Sequence, residues 1–177
     1  WLSVGTRPDI HGTAWAAHAH WLVGDADAAL ASAEHAVELA RTIEHPYTLA
    51  VVLAYAAVTH QLRGDIDRLT TSVSQLRELC ARYGFAYYRE WGLVLDGWLH
   101  EDIASARRGI DGLRAQGAFT RMPYWLSLLA DLQARAGDIG AARAVLDAAH
   151  VDALTRQDVW WLPEITRLRA SLANDSR

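Results

Sequence analysis

The stretch LRGDIDRLTTSVSQL, residues Leu62 to Leu76, contains the pattern that decides the fold. It places Asp65 directly before apolar residues that recur at three- and four-residue intervals, which is the spacing of one face of an α-helix. An aspartate at this position can accept a hydrogen bond from a free amide of the first helical turn, and it lies at the positive end of the helix dipole. Gly64 supplies a left-handed residue that ends the preceding helix. The stretch therefore predicts the end of one helix and the start of the next.

The same pattern occurs four times in the chain. The aspartates are Asp25, Asp65, Asp102 and Asp138, which lie 40, 37 and 36 residues apart. Glycine precedes three of them, at Gly24, Gly64 and Gly137. The apolar residues that follow at matching offsets are expected to face a core, and they are Ala26, Ala29, Ala33 and Ala36, then Ile66, Leu69, Val73 and Leu76, then Ile103, Ala106, Ile110 and Leu113, then Ile139, Ala142, Leu146 and Ala149. This regular repetition indicates an array of helical hairpins.

Prolines, glycines and the apolar spacing set the expected helix limits. We predict four antiparallel pairs within residues 9–150, with first helices at about 9–23, 47–62, 87–99 and from Pro123 onward. The second helices are predicted at 26–43, 66–83, 103–115 and from Ile139 to near His150, and a last helix at 158–173. The helix at 47–62 is apolar nearly all round, which predicts burial on every side. The predicted fold class is all-α.

Composition excludes several classes of protein. The chain is 51% hydrophobic and 21% charged, but it has no apolar run of the roughly 18 residues that a membrane helix needs. Its first residues lack the features of a secretory signal, so we expect a cytoplasmic protein. All 17 basic residues are arginine and the net charge is −4, which argues against direct binding of nucleic acid. Cys80, the single cysteine, is expected to be a buried small hydrophobe.

No arrangement of residues indicates catalysis or a bound metal. His20, His60 and His100 are spaced 40 residues apart, which suggests one repeated structural position. Packed helices lie roughly 10 Å apart, too far for equivalent side chains to share an ion with bonds of about 2 Å. The absence of lysine excludes a phosphate-binding loop of the Gly-rich, Lys-containing type. We therefore expect no metal, no cofactor and no enzymatic activity.

Small residues and longer strings carry a family resemblance. The small residues would lie where paired helices cross, at Ala17, Ala57, Gly97 and Ala130 in the first helices and at Ala29, Ala33, Ala36, Ala142 and Ala149 in the second. The strings are His45-Pro46-Tyr47, His60-Gln61-Leu62-Arg63-Gly64-Asp65, Tyr83-Gly84-Phe85, Gly97-Trp98, Leu113-Arg114-Ala115-Gln116-Gly117, Pro123-Tyr124 with Leu128-Leu129-Ala130, and Trp160-Trp161 before Arg167-Leu168-Arg169.

The hairpin pattern resembles tetratricopeptide repeats, and the strings resemble the C-terminal repeat arm of large bacterial regulators. Those regulators join an AAA-like or STAND-type signalling NTPase to an adenylate-cyclase or LuxR-type DNA-binding domain. The chain departs from the pattern around Leu99 to Asp102, where several residues are missing, and at Pro163. The resemblance implies a right-handed tetratricopeptide-like superhelix of about four hairpins plus a final helix, with residues 1–177 forming one helical-repeat domain of a longer signalling or transcriptional regulator.

In a solenoid of this type the first helices line the concave surface. Residues predicted to face it and bind a ligand are Trp15, His18, Trp21, Tyr55, Trp91, Trp98, Tyr124, Asp131 and Arg135. The expected function is a non-catalytic module for protein interaction or ligand sensing, whose partner is a protein or peptide segment such as the parent's own NTPase or effector domain. The alternative is a small-molecule-binding helical domain or an accessory fragment of an ATPase or cyclase, with the same groove as its pocket.

The N-terminal edge gives one more expectation. A repeat array needs a polar cap on its outer face, and the chain starts on apolar residues. We expect the apolar edge near Trp1, Leu2, Ile10 and Ala14 to be partly exposed or covered by another copy of the chain, with self-association through the N-terminal end as the consequence.

Overall fold

A computed structural model describes residues 5–174 of the chain. These residues form nine α-helices and no strand, which confirms the all-α prediction. The helices are α1 (Pro8–Leu22), α2 (Ala26–Thr42), α3 (Pro46–Arg63), α4 (Ile66–Tyr83), α5 (Ala86–Leu99), α6 (Ile103–Ala115), α7 (Met122–Arg135), α8 (Ile139–Arg156) and α9 (Leu162–Asn174). None of them combines the length and the apolar composition that crossing a lipid bilayer requires.

The four predicted caps are confirmed. The carboxylates of Asp25, Asp65, Asp102 and Asp138 each accept a hydrogen bond from the backbone amide three residues on, at 2.9–3.2 Å. The glycines before three of these aspartates have φ values of 71 to 86°, in the left-handed region. Where glycine is missing, Glu101 itself takes a φ of 56° before Asp102. The same tight turn is therefore built with a residue that tolerates it less well.

The end of α8 differs from its prediction. The helix continues to Arg156, six residues beyond the expected end at His150. No glycine or proline interrupts this segment, and Ala153 is buried four residues after Ala149, so the apolar face simply continues. Gln157 then ends the helix with a φ of 58°.

The start of α9 also differs from its prediction. The helix begins at Leu162, not at Asp158. Asp158 is used outside the helix, because its carboxylate accepts a 2.7 Å hydrogen bond from the backbone amide of Arg121. Pro163 lies in the first turn, where its missing amide costs no helical hydrogen bond.

The chain divides into two compact units, Trp1–Leu95 and Asp96–Arg177. In the first unit, α1 packs against α2 and α3, and α3 also packs against α2 and α4. Residues 50–60 of α3 are all buried, which confirms that this helix is covered on every side. In the second unit α7 has the corresponding place: it packs against α6, α8 and α9, and its residues 122–130 are all buried.

Turns of two or three residues join α1 to α2, α3 to α4 and α7 to α8, so each packed pair is antiparallel. The small residues expected at the crossings are all buried. The closest approach is at Gly97 in α5, where a Cβ atom would lie 2.6 Å from the backbone nitrogen of Ala106 in α6. Only glycine permits this distance between the two backbones.

The expectation that the first apolar residue after each cap faces the core is wrong. Ile66, the first apolar residue after its cap, is 48% exposed, and the equivalent Ala26, Ile103 and Ile139 are only half-buried. These residues occupy the first position of each helix, at its outer end, whereas the positions one to three turns later face the core.

The N-terminal edge is also different from the expected one. Ile10 and Ala14 are buried, because this face of α1 is turned toward its neighbouring helices. Trp1 and Leu2 lie outside the described residues. Cys80 is buried as predicted, and burial raises the pKa of its thiol to about 11.

Only two of the three equally spaced histidines occupy equivalent positions in the structure. The backbone amide of each capping aspartate donates to the carbonyl oxygen five residues earlier, and those carbonyls belong to His20, His60 and Gly97 in the first three pairs. His100 is three residues out of this register, because Asp102 follows Asp65 by 37 residues, whereas Asp65 follows Asp25 by 40. His20 and His60 are equivalent, and His100 is an exposed residue of the turn.

Candidate functional site

A row of aromatic rings runs across α1, α3 and α5 in the first unit. Trp15 of α1 has its ring centroid 6.1 Å from that of Tyr55 in α3, and the Tyr55 centroid is 5.4 Å from that of Trp91 in α5. Their exposure decreases sharply along the row. Trp15 is 58% exposed, whereas Tyr55 is 6% exposed and Trp91 is buried. The row therefore has one accessible end, at Trp15.

Two histidines fix this accessible end. The buried His18 donates through its Nε2–H to the carbonyl oxygen of Tyr55, at 3.1 Å. The His11 ring lies edge-on to both Trp15 and Tyr55, with centroid distances of 5.6 and 5.4 Å. Burial lowers the pKa of His11, so its imidazole favours the neutral form that packs well against aromatic rings. Trp15 is thus held in place by rings beneath it.

Trp15 belongs to an exposed apolar stripe on α1. Leu22 follows it by seven residues, about two helical turns, so the two side chains lie on one face. Leu22 and the adjacent Val23 are both exposed, and Trp21 is half-buried. We define Trp15, Leu22 and Val23 as the Trp15 surface. The sequence predicted Trp15 but missed Leu22 and Val23, although the seven-residue spacing was visible.

In the second unit the structure brings together three of the predicted residues. The indole Nε1–H of Trp98 donates to the Asp131 carboxylate at 2.7 Å, and the Arg135 guanidinium donates to the same oxygen. The Arg135 Cζ atom lies 4.8 Å from the centroid of the Trp98 ring, a cation–π contact. Asp131 and Arg135 were expected to orient a ligand, but here they bind each other and Trp98.

Four of the predicted ligand-binding side chains are buried within the fold. They are His18, Tyr55, Trp91 and Tyr124. Tyr124 packs against Trp160 and Trp161 at centroid distances of 5.7 and 5.4 Å, and burial strongly raises its pKa. The expectation that these side chains face an open surface is wrong, because each has neighbouring helices that cover the ring.

A cavity of about 470 Å³ lies in the first unit, between α2 and α4 and above α3. It was not predicted from the sequence. Its floor includes the buried His60, and its walls carry charged side chains of α2 and α4. The only available signal was a histidine at the end of the apolar run of α3. The wall residues resemble an ordinary solvated helix face and do not indicate a cavity.

Among the described residues, no three His, Cys, Asp or Glu side chains are grouped closely enough to hold one ion.

The chain matches no protein-family model and no solved structure. It is 28% identical over 159 residues to an uncharacterized protein of Rhizobium meliloti (strain 1021). The match takes in 86% of this chain and 16% of the relative, so the chain spans less than a fifth of that protein's length. The similarity identifies a longer protein with a related segment and carries no activity with it.

Proposed function

We propose that this chain is a non-catalytic interaction module that binds a protein segment on the Trp15 surface. The observation that carries the proposal is the 58% exposure of Trp15, a large aromatic side chain, at the open end of a packed ring cluster. Interface hot spots are enriched in tryptophan and lie where an aromatic side chain is held ready for a partner.

The environment of Trp15 supports this role. Its indole contacts His11 and Tyr55, whose rings are anchored by the helices below. Such a side chain loses little freedom when a partner covers it, which lowers the entropic cost of binding. Leu22 in the last turn of α1 and Val23 directly after the helix extend the apolar surface, so the partner is expected to present an apolar strip, as an amphipathic helix does.

We further propose that the partner is a domain of a larger bacterial signalling or transcriptional regulator, such as its NTPase or effector domain. The repeat-arm resemblance supports this, as does a relative in which the matching segment is 16% of the length. The buried free thiol of Cys80 agrees with a reducing cytoplasm. A right-handed tetratricopeptide-like superhelix stays a prediction. The proposed binding does not depend on it, because the residues of the Trp15 surface all belong to the first unit.

A peptide selection tests the proposal. Peptides would be selected from a phage-displayed library on the whole chain and their affinities measured by calorimetry. We expect Trp15→Ala to weaken binding by about 2 kcal/mol or more. Tyr83→Ala is the matched control, since Tyr83 is an exposed aromatic at the end of α4, outside the Trp15 surface. Equal affinities for wild type and Trp15→Ala would contradict the proposal, provided that urea unfolding shows both chains equally folded.

A further inference from the structure

The outward face of α1 carries no charged side chain beyond its first turn. The exposed residues of this part of the helix are Gly12, Trp15, Ala19 and Leu22. No Asp, Glu, Lys or Arg occurs anywhere in residues 10–24. The neighbouring α2, by contrast, exposes Glu34, Glu38 and Arg41, as a helix face in water usually does. The exposed face of α1 therefore has the composition of a surface that another protein covers.

These four residues, which we call the α1 seam, have the spacing of a coiled-coil contact. They follow one another at intervals of three, four and three residues. Gly12 and Ala19 thus occupy one heptad position, and Trp15 and Leu22 occupy the other. The residues at the first position are both small, and those at the second are both large. The seam therefore alternates between notches and projections over a length of about 15 Å.

The alternation of the α1 seam is complementary to itself in one orientation. Two copies of α1 can lie antiparallel about a twofold axis that passes midway between Trp15 and Ala19. Trp15 of each copy then faces Ala19 of the other, and Leu22 faces Gly12, so every layer joins a large side chain to a small residue. In a parallel pair the two Trp15 rings would collide and the two Gly12 residues would leave a gap. The seam therefore fits a second copy of itself, in the antiparallel orientation.

The surroundings of the seam favour this contact. A Cβ atom built on Gly12 would have no neighbouring atom within 4 Å, so the helix surface is open there to a side chain of another copy. Trp15 rests against the rings of His11 and Tyr55, which reduces the freedom that it would lose on pairing. Charged residues beside a helix seam commonly select the partner by attraction or repulsion. Here residues 10–24 supply no charge, so like charges along the seam do not oppose the pairing of identical helices.

We propose that two copies of this chain pair through their α1 seams in the antiparallel orientation. Removal of Trp15 and Leu22 from water drives the pairing, and the small residues allow the two helices to approach closely. A contact limited to one helix of each copy is smaller than a standard protein interface, so the pair should be weak and reversible. A second copy and another protein would compete for the Trp15 surface. Pairing is measured on the chain alone, so it can fail while the proposed function holds, and the reverse.

Sedimentation of the whole chain at concentrations from about 10 µM to about 1 mM tests the pairing. The average mass should rise with concentration toward that of a dimer. Ala19→Glu would place a carboxylate against the Trp15 ring of the other copy, and it should raise the dissociation constant at least about tenfold. Ala31→Glu is the matched control, because Ala31 is an exposed alanine of α2, outside the seam. A monomer at every concentration, or equal dissociation constants for the two variants, would overturn the proposal.

Introduced cysteines test the orientation of the two helices. Residue 12 of one copy would lie beside residue 22 of the other, so a mixture of Gly12→Cys and Leu22→Cys chains in a glutathione buffer should form a mixed disulfide. Either variant alone should form little linked dimer, because its two new cysteines would be about 15 Å apart along the pair, beyond the reach of a disulfide. The native Cys80 is buried and should not react.

Mass spectrometry identifies the linked species. A mixed dimer that clearly exceeds both single-variant dimers is the expected result. Single-variant dimers in excess of the mixed one would refute the antiparallel orientation, and the absence of any linked dimer would refute the contact between the seams.

Discussion

Replacing Gly97 with alanine tests the closest helix contact in the second unit. The new Cβ atom would lie 2.6 Å from the backbone nitrogen of Ala106 and 2.8 Å from the carbonyl oxygen of Asp102. Ordinary contacts of a Cβ atom are 3.4 to 4 Å. Both of the crowded atoms belong to the backbone, so no side-chain rotation relieves the clash and α6 must move away from α5.

Two effects of opposite sign set the size of the change. Alanine favours the helical state over glycine by about 1 kcal/mol. Overpacking against a rigid neighbour costs about 1–3 kcal/mol. Movement of α6 also strains the 2.8 Å hydrogen bond from the Asp102 amide to the Gly97 carbonyl, which closes the turn. We expect a net loss of about 1–2 kcal/mol in the free energy of unfolding.

Urea unfolding followed by circular dichroism measures this loss, and two glycines provide matched controls. At Gly12 in α1 an added Cβ atom would have no neighbouring atom within 4 Å, so Gly12→Ala should gain about 1 kcal/mol. Gly92 would meet the movable Arg77 side chain at 3.1 Å and should change little. If Gly97→Ala were as stabilising as Gly12→Ala, the close backbone contact would be refuted.

Three other changes have defined outcomes. Asp65→Ala should lower the free energy of unfolding by about 1 kcal/mol in urea titrations, because an amide of the first turn of α4 loses its acceptor. Trp91→Ala should cost about 3–5 kcal/mol in the same assay, since the ring is buried. Burial holds the pKa of His60 below its ordinary 6.5, so the unfolded chain binds the proton more readily and stability should fall as the pH drops below about 6.5. His60→Gln should flatten that fall in urea titrations at several pH values, and the exposed His35→Gln should not.

The local features of the fold were predictable because their causes are local. Each cap is a hydrogen bond between residues three apart in the chain, as at Asp65 and Arg68. The buried faces follow from spacing within a single helix. The end of α8 was missed because no residue near His150 breaks the helix. Only the continuing burial of Ala153 shows how far the helix runs.

The candidate site was less predictable because exposure depends on neighbouring helices. Trp15 and Tyr55 each lie ten residues before their capping aspartates, so the sequence treats them alike. In the structure Tyr55 has an aromatic ring on either side, from Trp15 and Trp91, and it is buried. The cavity was even less predictable from the sequence, because residues of three helices line it and no single helix carries a pattern that indicates it.

The burial of α3 on every side along residues 50–60 has a consequence for local motion. A helix with no solvent-facing side is not stable as part of an isolated hairpin, so α1, α2 and α4 must be in place before it is protected. Its amide protons from residues 50–60 should therefore exchange with deuterium only when the whole first unit opens. Those of α1, which carries the exposed Trp15, should exchange earlier through partial opening. The proposed binding face would then lie on a helix that opens more readily than α3, and a bound partner should slow its exchange.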